Sequence, residues 1–599
     1  MNFTKKQAWL DAAAMVVVLA LALGAVQIFG SNSALRVASN AAILLVAVLG
    51  LQVFSGNSGI VSFGHAGFMA LGAYASGILT MPASVQRSAL KGLPDWLAGH
   101  EMNMLAAFGV VIVLGLIVGF ITSLPLLRLN GSSASIATLA MLIIIFSLLV
   151  ASREITRGAQ PFYGVPREMT LWIAGTIAML AIVIARLFRE SAWGMGARAA
   201  GDDERGAMAS GVSIKSARMV SWVLGAAMAA LSGAMLGHFL GAFSPKDFYF
   251  EMSFNLLAML IVGGMGTVLG ATSGVLAITL IGEVIRRIEG GGEFLGVEIP
   301  QMFGLTQAAL ALAMLLIIWR RPLGLLGKSE LRLAERLGHR AKSAPLPQNP
   351  LQKPATLAAK NLSRHYGGVK AVNDVTLSFE TGLITGVIGP NGAGKTTFLN
   401  MLSGDVEPTS GEILKDGQPL RGSSMHFARK GLARTFQNLR IFPSMSVLEN
   451  VQLAAAQMTS DPRRAEAVAL RELRFMQLED LAHAPAGSLA YGQKRRLEIA
   501  RALALAPEFL LLDEPAAGMN GSETEQLVTL LRLLRDERGL GIIVIEHDMG
   551  LVMSLCQKVA VIDHGALIAF DAPAAIQQNP RVIASYLGSK AADAMLSRK

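Results

Sequence analysis

Nine apolar stretches, most of them about as long as a bilayer is thick, recur through the first 320 residues of this 599-residue chain. They run Ala12–Phe29, Ala34–Phe54, Ile60–Thr80, Met104–Leu127, Ser132–Ala151, Thr170–Phe188, Arg218–Gly241, Phe254–Ile285 and Phe303–Trp319. A helix needs about 20 apolar residues to cross a hydrocarbon core, so this pattern predicts an all-α polytopic membrane domain. The first stretch has the position of a cleavable signal peptide, but eight more behind it favour a plain first span. Only 16% of residues are charged, against about 25% in soluble proteins. That excludes a disordered chain, a collagen-like chain and a single soluble domain. One cysteine, Cys556, excludes a disulfide framework and any Cys-rich zinc site.

The charge follows the membrane. The net charge is +10, with 25 Lys and Arg against 17 Asp and Glu up to Ser343, and 27 against 25 beyond it. The excess lies in the greasy half, where positive residues flank membrane spans on the cytoplasmic side, so no nucleic-acid partner is expected. Arg186, Arg189, Arg198, Arg205, Lys215 and Arg218 mark one such loop. The stretch Phe254–Ile285 is too long for one ordinary span, and Gly263, Gly264, Gly266 and Gly270 sit in its middle. Parity between the basic loop and Arg320-Arg321 closes only if that stretch crosses twice. The expected total is about ten crossings with Lys5 and Lys6 inside, and the acidic loop Glu289–Gln301 outside.

After Gly327 the chain becomes charged and then proline-punctuated, at Pro345, Pro347, Pro350 and Pro354. This divides it into a membrane domain over 1–328, a cytoplasmic linker over 329–354 and a second domain over 355–599. In the second domain strands alternate with helices. The apolar run Leu383–Ile388 leads into Gly389-Pro390-Asn391-Gly392-Ala393-Gly394-Lys395-Thr396-Thr397, which fits G-x-x-x-x-G-K-S/T. Backbone N–H groups of such a loop wrap phosphates, the lysine neutralises them and the following hydroxyl ligates Mg²⁺. A helix expected over Thr397–Leu402 presents its N-terminus to the anion. A second apolar run, Phe509–Leu512, ends in Asp513-Glu514-Pro515. Asp513 suits a second Mg²⁺ contact, and Glu514 suits a base that aligns the attacking water.

These motifs resemble an ATP-binding cassette (ABC) ATPase, so the expected fold is an all-α membrane domain followed by an α/β P-loop nucleotide-binding domain. Leu489-Ala490-Tyr491-Gly492-Gln493 is similar to the family's signature, and a helix is expected over Lys494–Leu505 behind it. Gln437 matches the glutamine loop that contacts Mg²⁺. His547 matches the histidine that reads the γ-phosphate, and Tyr366 the aromatic that stacks on adenine. Asn520 stands where many members carry Asp. Ala490 lacks the signature hydroxyl and Tyr491 replaces a glycine. That variant, with Ala517-Gly518-Met519-Asn520 and the tail Asn579–Gly588, resembles the ATPases of branched-chain amino acid importers. In the membrane half, Ser62–Tyr74, Gly201–Val212, Phe243-Ser244-Pro245 and Val262–Thr267 resemble the permeases of those importers.

The resemblance implies a permease fused to its ATPase, with ATP and Mg²⁺ as cofactors, in a bacterial inner membrane with the ATPase and N-terminus cytoplasmic. It also implies a second permease, a second cassette ATPase and a periplasmic solute-binding protein. The solute would be a branched-chain or related hydrophobic amino acid. The alternatives are urea, short amides or aromatic acids for the same importer type, a homodimeric exporter of six long spans, or a membrane-tethered ATPase that gates rather than transports. Gly201–Val212 is expected to dock near Gln437. Within the spans, His65, His238, Asn57, Ser62 and Asn255 are polar and therefore candidates for solute contact. The competing reading is satisfied side chains among helices packed on small residues.

Overall fold

The structure is a computed structural model that describes residues 3–289, 292–294, 297–299, 301, 304–327, 330–333 and 354–587. The described residues form two units. One comes from 1–201 and 215–341, the other from 202–214 and 342–599.

In chain order the helices up to residue 320 are α1 Phe3–Phe29, α2 Asn32–Leu51, α3 His65–Thr80, α4 Ala83–Ala89, α5 Met104–Leu126, α6 Gly131–Ala151, α7 Arg153–Thr156, α8 Leu171–Arg189, α9 Ala192–Asp202, α10 Glu204–Ala209, α11 Ile214–Leu240, α12 Phe250–Gly263, α13 Val268–Glu289 and α14 Leu305–Arg320. A π turn, Gln52–Gly56, continues α2. The starts are set by polar residues at the edges of the apolar runs. Ser31, Asn103 and Thr170 each accept a hydrogen bond from the backbone N–H three residues on, which caps α2, α5 and α8. The helices α2 and α11 are mostly buried. By contrast, α5 and α6 turn Ile117, Ile121, Ile144 and Leu148 outward, the pattern of a lipid-facing surface. Contact between α3 and α11 depends on glycine. A Cβ on Gly72 would lie 1.9 Å from the Ala230 carbonyl oxygen, and one on Gly233 would lie 1.9 Å from that of Met69. These small residues therefore serve packing.

Among the described residues, seven helices are long and apolar enough to cross a membrane, or eight if α3 and α4, bent by 117°, act as one span. A total of about ten requires the shorter α12 and α14, of 14 and 16 residues, to cross as well. The long stretch Phe254–Ile285 does break at its glycines: α12 ends at Gly263 and α13 begins at Val268. Within the basic loop, Arg186, Arg189 and Arg198 are buried. Arg186 pairs with Asp11 at 2.8 Å and Glu190 at 2.5 Å, and Arg189 with Glu330 at 3.4 Å. This cluster ties α1 and α8 to the chain beyond α14. Most of the linker expected over 329–354 lies outside the described residues.

Across both units the strands are β1–β14 in chain order. Phe162–Tyr163 and Ala242–Phe243 (β1, β2) and Gly292–Phe294 and Val297–Ile299 (β3, β4) make two short ladders in the first unit. The second unit holds β5 Thr356–Tyr366, β6 Val369–Glu380, β7 Ile384–Ile388, β8 Ser410–Lys415, β9 Gln418–Pro419, β10 Leu432–Arg434, β11 Phe509–Asp513, β12 Gly541–Ile545, β13 Lys558–Asp563 and β14 Ala566–Asp571. Six of these form a sheet in the order β10-β11-β12-β7-β13-β14, parallel except for the last pair. The others form an antiparallel sheet, β6-β5-β8-β9. Every residue of β7, β11 and β12 is buried, which is why these segments read as unbroken apolar runs. The helices are α15 Lys395–Leu402, α16 Ser424–Arg429, α17 Val447–Ala455, α18 Pro462–Phe475, α19 Tyr491–Leu503, α20 Gly521–Arg538, α21 Met549–Leu555, α22 Pro573–Gln578 and α23 Pro580–Leu587. Two differ from expectation. Helix α15 starts two residues earlier, at Lys395, and α19 three residues earlier, at Tyr491. Gly492 and Gln493 are thus in a first helical turn, because Gln493 Oε1 accepts from the Ala490 N–H at 3.1 Å and caps it.

Candidate functional site

The carboxyl ends of β7, β11 and β12 meet on one edge of the parallel sheet, the edge where such sheets place ligands. The loop leaving β7 runs from Gly389 to Gly394 before α15. Gly394 has φ of 100° and Gly389 of 153°, and at each a Cβ would lie 2.0 Å from a carbonyl oxygen, of Ala371 and Ile562. Only glycine fits those two positions. Asn391, Gly392 and Ala393 form the bend between them, with Asn391 and Gly392 exposed. Lys395 Nζ folds back to donate to the carbonyls of Gly389 at 2.8 Å and Pro390 at 2.9 Å. Burial, opposed by the carboxylates of Glu514 and Asp513, holds its pKa below the usual lysine value. Thr396 is exposed and Thr397 half-buried in the first turn of α15.

Asp513 closes β11. It is buried, and its Oδ1 has no hydrogen-bond partner. Its Oδ2 lies 4.0 Å from Arg434 Nη2. Burial, more than Arg434 can offset, raises its pKa above the ordinary carboxylate value. Glu514 follows with φ of 44°, a left-handed conformation that costs a non-glycine residue of order 1–3 kcal/mol. Three hydrogen bonds hold it there. Its N–H donates to the Ile545 carbonyl at 2.9 Å, its carbonyl accepts from Arg495 Nη2 at 2.9 Å, and its Oε2 accepts from Gln437 Nε2 at 2.9 Å. Lys395, Gln437, Asp513 and Glu514 therefore form one cluster.

The other expected residues stand apart from it. Tyr366 is exposed at the end of β5, with the Arg364 guanidinium 4.6 Å from its ring centre. His547 is exposed beyond β12, its Nδ1 3.7 Å from the buried Glu546. Gly492 and Gln493 lie in the first turn of α19. The Tyr491 hydroxyl donates to the Ala517 carbonyl at 3.1 Å, so the residue replacing the usual glycine fastens the signature to the loop ending at Asn520. Asn520 itself caps α20, accepting from the Glu523 N–H at 2.9 Å.

Arg495 and Glu498 escaped the sequence reading. Both are fully buried and pair at 2.8 Å. Arg495 Nη1 also donates to the Phe436 carbonyl at 2.8 Å, and Glu498 Oε1 accepts from the N–H groups of Phe436 and Arg440 at 3.4 and 3.3 Å. An opposite-charge pair spaced three residues apart on the signature helix was the available signal. The segment Asp202–Ile214, which belongs to this unit, lies beside it. Asp203 pairs with Arg440 at 2.6 Å, Asp202 accepts from the Ser444 N–H at 2.9 Å, and the Gly211 carbonyl accepts from Arg429 at 3.0 Å. Arg440 is three residues from Gln437, so the segment sits near the glutamine loop, as expected.

Residues 33–319 match the family model for the permease component of the branched-chain amino acid transport system, residues 372–517 that for ABC transporters, and residues 566–592 that for the branched-chain amino acid ATP-binding cassette transporter. The chain is 44% identical over 248 residues to the high-affinity branched-chain amino acid transport ATP-binding protein BraF of Pseudomonas aeruginosa, covering 39% of this chain and 97% of that one. The chain belongs to the branched-chain amino acid ABC transporter family. Identity to the corresponding protein LivG of Escherichia coli K12 is 42%, with the same coverage. The lipopolysaccharide export system ATP-binding protein LptB of that organism is 37% identical over 237 residues, 39% of this chain and 98% of that one. This family member joins a membrane-embedded permease and a nucleotide-binding, ATP-hydrolysing cassette in one polypeptide.

Proposed function

We propose that the chain is the fused permease and ATPase subunit of an importer that carries branched-chain or related hydrophobic amino acids across the bacterial inner membrane. Residues 1–328 are the permease, 329–354 the linker and 355–599 the ATPase, with the ATPase and the N-terminus on the cytoplasmic side. Its companions are a second permease, a second cassette ATPase and a periplasmic solute-binding protein. The observation that carries this reading is the union, in one chain, of a permease match over 33–319 with the Gln437–Glu514–Asp513 cluster.

The phosphates of ATP would lie along the backbone N–H groups from Gly389 to Thr397, and adenine against Tyr366, which Arg364 backs. Lys395, buried and held by carbonyls alone, would turn to the phosphates. The donor set also fits Mg²⁺: Asp513 keeps a buried, unpaired carboxylate oxygen, the Thr396 hydroxyl is exposed, and Gln437, bonded to Glu514 through its amide nitrogen, keeps its amide oxygen. When bound, Mg²⁺ neutralises phosphate charge. Glu514, oriented through its backbone by Arg495 and Ile545, polarises the attacking water, and His547 reads the γ-phosphate. Gly492 and Gln493, on the N-terminus of α19, serve the nucleotide of the companion cassette.

The test is reconstitution of the complex with its companions in vesicles, with radiolabelled leucine as the probe. ATP-driven uptake that Lys395→Ala abolishes is the expected result. Uptake unchanged in that variant, or movement only outward, overturns the proposal. Direction has to be measured because one similar cassette is named for export.

A further inference from the structure

Among the described residues of the membrane unit two histidines, His65 and His238, are buried, and the structure treats them differently. His238 uses both ring nitrogens: Nε2 lies 2.9 Å from Ser76 Oγ and Nδ1 lies 2.9 Å from the Pro166 carbonyl. His65 uses one. Its Nδ1 lies 2.9 Å from Ser62 Oγ, while its Nε2 is buried without a partner. Two neighbours in sequence share that condition. Gln52, fully buried, has no partner for either amide atom, and Asn57 has none for Oδ1. Asn57 spends its Nδ2 on the carbonyls of Val53 at 3.0 Å and Gln52 at 3.3 Å, within and beside the π turn.

In a lipid-embedded domain a buried polar atom without a partner is a standing cost, and such groups inside spans mark solute pathways. Here four orphaned atoms sit on three side chains, Gln52 in one irregular turn, Asn57 directly after it and His65 with its ring 6.2 Å from that of Phe54 in the turn, and π turns concentrate at functional sites. The surroundings are aromatic. Trp222 meets the ring of Phe54 at 4.8 Å, of His65 at 5.3 Å and of Phe68 at 5.7 Å. A Cβ on Gly56 would lie 2.2 Å from the Met265 carbonyl oxygen. The π turn therefore abuts the break between α12 and α13. Tyr74 Oη, nine residues along α3 from His65, is a further orphan, but it lies among Phe162 and Phe243 rather than at the turn.

We propose that Gln52, Asn57 and His65 form the solute-contact site of the permease, and that it takes a zwitterionic amino acid with an apolar side chain. The donors and acceptors are amide and imidazole groups, suited to an ammonium and a carboxylate together, and the rings of Phe54, Phe68 and Trp222 suit the side chain. Among the described residues, the hydrogen bonds and ring contacts made by the three side chains involve no Lys, Arg, Asp or Glu, so the site favours a solute without net charge. This rests on the amino-acid import proposed above.

The experiment compares Gln52→Leu and His65→Phe with wild type in the full reconstituted complex, reading radiolabelled leucine uptake and the thermal midpoint of the purified complex. Both variants remove orphaned polar atoms and keep bulk. The expected result is at least a tenfold loss of uptake at low leucine with a midpoint equal to or above wild type. If one variant fails to assemble, the other carries the same test. Wild-type uptake in both overturns the proposal, as does a loss of uptake that tracks a fall in midpoint, which marks a packing role. If wild type itself takes up no leucine, the import reading fails first, and the amino-acid occupant fails with it.

Discussion

Arg495 gives a sharp test because stability and catalysis should separate when it is changed. Its pair with Glu498 is fully buried, and its Nη1 and Nη2 also donate to the carbonyls of Phe436 and Glu514. Arg495→Met leaves the Glu498 carboxylate buried and uncompensated, which costs about 3–5 kcal/mol. At roughly 2–4 °C per kcal/mol for a domain of this size, the midpoint should fall by about 6–20 °C. Adding Glu498→Leu removes the stranded charge, and such apolar replacements of buried pairs are often neutral or stabilising. The double variant should therefore regain most of the midpoint. It should not regain hydrolysis. Nothing then fixes the left-handed Glu514 backbone from the α19 side, and a shift of about 1 Å at a reacting group costs about 100-fold. Calorimetry of the purified protein and a phosphate-release assay read the two quantities. A double variant that hydrolyses at the wild-type rate would show that Arg495 is only structural. A single variant with an unchanged midpoint would refute the buried-charge argument itself.

Three further outcomes follow from the same cluster. Burial raises the folded pKa of Asp513, so the folded state binds its proton more tightly than the unfolded one. The resulting stability is complete below the unfolded value and is lost as pH rises through the folded one. Asp513→Asn should thus raise the nucleotide-free midpoint at neutral pH, flatten the pH dependence above about 4, and abolish stabilisation by MgATP; a lower midpoint contradicts this. Glu514→Gln should slow hydrolysis by about 10²–10⁴-fold and leave ATP trapped, as a filter-binding assay would show; normal turnover removes Glu514 from its role. Asp203→Ala breaks a half-exposed pair worth about 1 kcal/mol or less. Hydrolysis should stay within about twofold while leucine uptake falls further, and equal losses in both would count against a coupling role.

Much of the cassette was legible in the sequence because its chemistry is local. The phosphate loop, Asp513-Glu514 and the signature each lie within a few residues, and the buried strands β7 and β11 appear as apolar runs. The break at Gly263–Gly266 was legible for the same reason. The missed residues act over distance. Nothing near Arg495 in sequence shows that it reaches Phe436 and Glu514, 59 and 19 residues away. The ion pairs that bury Arg186 and Arg189 were not legible because their partners, Asp11 and Glu330, lie far along the chain. Composition places positive charge near a membrane but cannot tell whether it is neutralised there. His65 and His238 were likewise indistinguishable in sequence; only their partners separate them.

Placed together, these distant contacts make a continuous path within the second unit. Asp203 of the segment 202–214 pairs with Arg440, and the Arg440 N–H meets Glu498. Glu498 pairs with Arg495, and Arg495 holds the Glu514 carbonyl, while Gln437, three residues before Arg440, holds the Glu514 carboxylate. The segment is thus linked to Glu514 through both its backbone and its side chain. Spatial continuity alone does not establish coupling; a double-mutant cycle between Asp203 and Glu498 on the hydrolysis rate does. If the path carries force, Asp203→Ala and Glu498→Gln should combine non-additively, by at least about 0.5 kcal/mol, whereas strict additivity would mean that the segment and Glu514 are neighbours without communication.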